Sequence, residues 1–86
     1  MPLPKVVLDT NVVVSALLSA RGNEALILDL CLAQKLQLYV SKDILTEYEE
    51  VLGRPRFRID LKHVTAAMQL IRKAAKTVKP TQALAV

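Results

Sequence analysis

Val6-Val7-Leu8-Asp9-Thr10-Asn11-Val12-Val13-Val14-Ser15, VVLDTNVVVS, sets one carboxylate and one carboxamide inside an otherwise apolar run. A carboxylate costs several kcal/mol to bury without a partner, so Asp9 is expected to cap a helix, pair with a cation or bind metal. Lys5 to Asp9 is short, apolar and rich in β-branched residues, which predicts a fully buried strand. Thr10 or Asp9 then caps a helix over about residues 11–18. Asp9 therefore ends a strand, and the carboxyl ends of strands are where open parallel sheets bind ligands. Asn11 adds an amide able to orient that carboxylate or a water. A mere cap has no need to follow four buried residues, so position and chemistry favour a functional acid.

Outward from this stretch, strands and helices alternate without repeats. Ser19 to Asn23 contains Gly22 and breaks the first helix. Glu24 to Gln34 reads as a second helix, apolar on most of its circumference, which should be covered on more than one side. Leu36, Leu38 and Val40 alternate with Gln37 and Tyr39 as a second strand. Ser41 is a good N-cap for a third helix, with Asp43 in the first turn where the dipole favours it. That helix should end at Gly53, and Pro55 forbids its resumption. A fourth helix spans about residues 60–77, with Leu61, Val64, Met68, Ile71 and Ala75 on one stripe; Val78 is expected to begin a short third strand before Pro80. The pattern is α/β: an open parallel sheet of two to three strands flanked by about four helices.

The 86 residues make one domain at most, and a domain this small buries only about 60 to 65% of its unfolded surface. Yet 52% of the residues are hydrophobic and the mean hydropathy is +0.31, so some apolar area is expected to face a partner: another subunit, another protein or a missing part of the same fold. Asp9, Arg21, Glu24 and Asp29 interrupt the apolar stretches well short of the roughly 20 residues a bilayer needs, so no membrane partner is expected. Asp9 and Asn11 stand where the apolar core of a signal peptide would lie, and the single cysteine, Cys31, excludes an internal disulfide. The cytoplasm is the expected location, with Cys31 a small buried hydrophobe.

Charge divides unevenly. Residues 1–52 hold four basic side chains against seven acidic, net −3, and residues 53–86 hold eight basic against Asp60 alone, net +7, which together restore the overall +4. The second half is suited to gather a polyanion such as RNA, although Lys62, Lys73 and Lys76 equally suit a solvated helix face. In Arg54-Pro55-Arg56-Phe57-Arg58, three guanidiniums flank one aromatic ring. That combination suits phosphate contact and base stacking, unless Phe57 anchors the loop to the core. His63, alone near the start of the fourth helix, reads as a surface residue.

One carboxylate holds Mg²⁺ or Mn²⁺ poorly, since these cations need several oxygens. The next acids lie in SKDILTEYEEVL. At about 100° per residue, the apolar arc of Ile44, Leu45, Tyr48, Val51 and Leu52 centres near Tyr48 and Glu50 points away from it. Glu47 and Glu49 border the arc on opposite sides, and periodicity does not choose between them.

VVLDTNVVVSALLS followed by VSKDILTEYEEVLGRPRF resembles the PIN domain, and more closely the PIN-family toxin components of toxin-antitoxin systems, similar to the VapC ribonucleases. The resemblance runs from about Lys5 to Pro80. It implies metal-dependent cleavage of RNA by acids clustered around Mg²⁺ or Mn²⁺, with a cognate antitoxin as partner. Carried over, Asp9 matches the first acid, Asn11 and Ser15 match polar residues beside it, and Glu47 matches the second acid, which breaks the tie with Glu49. Arg54, Arg56 and Arg58 would then steer or hold the RNA.

PIN domains continue with further strands and helices that bring the remaining acids, whereas no carboxylate side chain follows Asp60 here. The chain is thus expected to be a single partial PIN-like domain, residues 1–86, incomplete at its C-terminus and associating as a homodimer or higher oligomer. The alternative to a metal-dependent endoribonuclease is a non-catalytic truncated module that binds RNA, an antitoxin or itself. A receiver-like acid pocket is disfavoured, since it would want a second acid beside Asp9 and a later lysine on a strand.

Overall fold

The computed structural model describes residues 3–79. In order they form β1 (Lys5–Val6), α1 (Thr10–Leu18), α2 (Asn23–Leu32), β2 (Gln37–Val40), α3 (Lys42–Leu52), a 3-10 turn (Pro55–Phe57), α4 (Leu61–Ala74) and β3 (Lys76–Thr77). The strands are parallel in the order β1-β2-β3. Lys5 pairs with Gln37 and Val6 with Leu38, while Tyr39 pairs with Lys76 and Val40 with Thr77. This is the open α/β sheet expected from the alternation of apolar runs.

Local chemistry sets most boundaries. Ser41 Oγ accepts from the Ile44 N–H at 3.1 Å and starts α3; Gly53 ends it, donating to the Glu49 carbonyl at 3.1 Å. Asp60 caps α4 by accepting from the Lys62 N–H at 2.9 Å. Each cap satisfies a backbone donor or acceptor that a helix end leaves without an intrahelical partner.

Tertiary pairing moves the end of α4. The stripe predicted a helix to residue 77, but Ala75 is extended (φ −85, ψ 151) and the next two residues join the sheet. Their ladder bonds to β2 replace the helical ones, so the third strand begins two residues before Val78. Val78 still donates its N–H to the Val40 carbonyl at 2.8 Å.

α1 packs on α2 and α3, and α4 packs on the same two helices, so the four form one layer over one face of the sheet. Leu8, Leu38 and Val40 point into that layer, meeting Val13, Leu28, Cys31, Tyr48, Leu52, Met68 and Ile71 in the core. Burial pushes the Cys31 thiol pKa up, in keeping with a small buried hydrophobe.

Lys5 to Asp9 departs from the expected fully buried strand. Lys5 is exposed, Val6 is half-buried and Val7 is 58% exposed, so only Leu8 is buried of the four residues before Asp9. The cause is the single helix layer: among the described residues nothing covers the second sheet face, where Lys5, Val7, Tyr39 and Val78 line an open groove. Among the described residues α2 is likewise covered on one side only, through Ala25, Leu28 and Cys31, leaving Leu26 and Ile27 exposed. No helix among the described residues is long and apolar enough to cross a membrane. The expected incompleteness at residues 81–86 lies outside the described residues.

Candidate active site

β1 delivers Asp9 to the carboxyl end of the sheet, and α1 begins at the next residue. Asp9 is the N-cap: its Oδ1 accepts from the Asn11 N–H at 3.1 Å, and its carbonyl accepts from the Val12 N–H at 2.9 Å. Capping and metal binding are therefore not exclusive alternatives, because a cap uses one carboxylate oxygen and leaves the other.

α3 carries the second candidate acid, Glu47. The Thr10 hydroxyl donates to Glu47 Oε2, and the Tyr48 hydroxyl donates to the Leu8 carbonyl at 2.5 Å. Two consecutive α3 residues thus hold the residues on either side of Asp9. Tyr48 is fully buried, and its pKa is pushed up to about 12, first by burial and then by the charge of Asp9, with Cys31 and Glu47 adding to it. Both carboxylates lie within electrostatic reach of one phenol.

Glu49, the other acid at the border of the apolar arc, faces α4. It pairs with Arg72 Nη2 at 3.0 Å. Glu50 is exposed. The two glutamates that periodicity leaves tied are therefore separated by their neighbours, one facing Thr10 and one facing Arg72.

Asn11 and Ser15 lie one turn apart on the same face of α1. Asn11 is exposed and Ser15 half-buried, and among the described residues neither side chain hydrogen-bonds to Asp9 or Glu47; Asn11 reaches Asp9 through its backbone. Arg54 and Arg58 cap the 3-10 turn and Arg56 lies within it, all exposed. The Arg56 guanidinium lies 4.8 Å from the centre of the Phe57 ring, while Phe57 packs against the core, so the ring serves both as anchor and as cation–π partner. Arg54 follows the end of α3 by two residues. Among the described residues no hydrogen bond or ion pair links the three arginines to Asp9 or Glu47. His63 is exposed in the first turn of α4.

Thr10 and Tyr48 were not singled out as site residues by sequence reasoning. A signal existed for Tyr48: a phenol at the centre of an apolar arc needs a hydrogen-bond partner once buried. Thr10 offered none beyond its capping propensity.

A family model described as the PIN domain matches residues 5–86. The chain belongs to the PIN-domain family. No curated protein and no solved structure matches it. PIN domains are generally nucleases and usually use divalent metal ions. The donor chemistry of this PIN domain fits such an ion: Asp9 and Glu47 are exposed side chains, and each keeps one carboxylate oxygen without a hydrogen-bond partner among the described residues. Mg²⁺ is commonly held by one or two carboxylates while keeping several waters, and Mn²⁺ favours the same hard oxygen donors. Among the described residues no group of three or more His, Cys, Asp or Glu side chains gathers to hold a metal.

Proposed function

We propose that this PIN domain is an endoribonuclease dependent on Mg²⁺ or Mn²⁺, the toxin component of a toxin-antitoxin system acting in the cytoplasm. The supporting observation is that Thr10, the chain neighbour of Asp9 just beyond β1, donates its hydroxyl hydrogen bond to Glu47. Asp9 and Glu47 would hold the ion, and Asn11 and Ser15 would offer polar groups beside it. A bound divalent ion would supply a water of lowered pKa and charge stabilisation at the scissile phosphate. Arg54, Arg56 and Arg58 would hold the RNA backbone, since guanidiniums match phosphate bidentately. No histidine is required.

The test is hydrolysis of single-stranded RNA by the full chain with added Mn²⁺. Cleavage should fall to background on chelation and in both Asp9→Asn and Glu47→Gln. RNA binding without cleavage in the wild type would favour the second reading, a non-catalytic module that binds RNA, an antitoxin or a second copy of itself. The observations behind that reading are that no group of three or more potential ligands gathers among the described residues and that the sheet carries an open apolar groove.

Replacing Arg54, Arg56 and Arg58 together with alanine should weaken RNA binding. If each meets one phosphate, the slope of log affinity against log salt should shrink by about 2. An unchanged slope would return these residues to a solvated surface role. We also propose a homodimer or higher oligomer that buries exposed Val7, Leu26 and Ile27. A strictly monomeric mass by light scattering at tens of micromolar protein would count against it.

A further inference from the structure

We propose that Thr10 and Tyr48 are positioning residues, a two-point clamp that sets the spacing of Asp9 and Glu47 for a divalent cation. The inference rests on the metal reading of those two acids and deepens it. Its basis is the pairing of neighbours: Glu47 and Tyr48 adjoin on α3, Leu8 and Thr10 flank Asp9, and the hydrogen bonds run from Thr10 to Glu47 and from Tyr48 to Leu8.

The two bonds have different jobs. The Tyr48 bond is buried, where competition from water is weakest, and it ties the end of the first strand to α3. The Thr10 bond lies 37 residues apart in sequence and near solvent. It adds the second point, and it does so through the carboxylate that is to bind metal. Threonine suits the task, because a β-branched side chain has few χ1 states and holds its hydroxyl in place. Glu47 is exposed, and no other hydrogen bond among the described residues orients its carboxylate.

An exposed hydroxyl gains little stability from its hydrogen bond, since water replaces it readily. Losing the Thr10 hydroxyl should therefore misplace Glu47 far more than it unfolds the chain. Partners that orient metal ligands typically change affinity by 10- to 100-fold.

The experiment titrates MnCl₂ by calorimetry into the full-length wild type, Asp9→Asn, Thr10→Val, Thr10→Ser and Tyr48→Phe, with the thermal midpoint of each measured in metal-free buffer. The clamp expects wild-type Mn²⁺ binding that Asp9→Asn loses, about tenfold weaker binding in Thr10→Val at an unchanged metal-free midpoint, and recovery in Thr10→Ser. It also expects weaker binding in folded Tyr48→Phe. Equal affinity in wild type, Thr10→Val and Tyr48→Phe would overturn the clamp while leaving the metal reading intact. Failure of Thr10→Ser to recover what Thr10→Val loses would overturn the role of the hydroxyl. No Mn²⁺ binding by the wild type, or equal binding by Asp9→Asn, would sink the metal reading and the clamp with it.

Discussion

Replacing Tyr48 with alanine should destabilise the fold by about 3 to 5 kcal/mol, a large part of the 5 to 15 kcal/mol that usually separates native from unfolded chains. Tyr48 heads the set of large, fully buried side chains and sits at the centre of the buried face of α3. Removing the ring leaves a cavity between α3 and the strand end, and removing the hydroxyl leaves the Leu8 carbonyl without its donor. Tyr48→Phe separates the two effects. It keeps the ring and should cost about 1 to 2 kcal/mol for the lost hydrogen bond. Urea unfolding of the three proteins measures the series; an alanine variant as stable as the wild type would mean that the ring does not carry the packing of α3.

The same side chain sets the alkaline behaviour. Burial and the charge of Asp9, Cys31 and Glu47 raise its pKa from the ordinary 10 to about 12, so the folded state holds the phenolic proton more tightly than the unfolded state does. Its stabilising contribution is therefore whole below pH 10 and is lost as pH climbs from 10 through about 12, at up to roughly 1.4 kcal/mol per pH unit. Tyr48→Phe should lack this part of the alkaline slope.

Asp9→Asn should abolish the response of the fold to Mn²⁺. A ligand bound only by the native state stabilises it according to concentration over Kd, so Mn²⁺ at ten times Kd adds about 1.4 kcal/mol. For a domain of this size that raises the thermal midpoint by about 6 to 11 °C. Asparagine remains a good N-cap, so it keeps the hydrogen bond from the Asn11 N–H. If the Asp9 and Glu47 carboxylates lie as close as shared metal binding requires, it also lowers their repulsion. In metal-free buffer Asp9→Asn should thus be as stable as the wild type or slightly more so. Titrating Mn²⁺ through thermal unfolding of both proteins decides the matter, and equal shifts would leave Asp9 as a helix cap alone.

α3 was the most legible element, because every signal for it is local. Ser41 accepts from an amide three residues on, Gly53 closes the last turn, and the spacing of Ile44, Tyr48, Val51 and Leu52 sets the buried face within eleven residues. The end of α4 was less legible. Lys76 and Thr77 continue a helical pattern as well as they begin a strand, and the neighbouring β2 decides between the two. The exposure of Val7 was illegible for a related reason: apolar runs state that a residue suits burial, not whether a second layer covers it.

The sequence by itself determined the order of strands and helices and the Ser41 and Gly53 ends of α3, since each depends on side chains within a few positions of one another; the strand it read over Lys5 to Asp9 ends at Val6, which leaves Asp9 three residues beyond it. It also narrowed the second acid to Glu47 or Glu49, from which helical period could go no further and the resemblance selected Glu47. Only the tertiary structure decided the neighbours of those two acids. Thr10 lies 37 positions from Glu47 and Arg72 lies 23 from Glu49, so the difference depends on how α1 and α4 pack against α3, a matter of contacts between distant residues that no local period encodes.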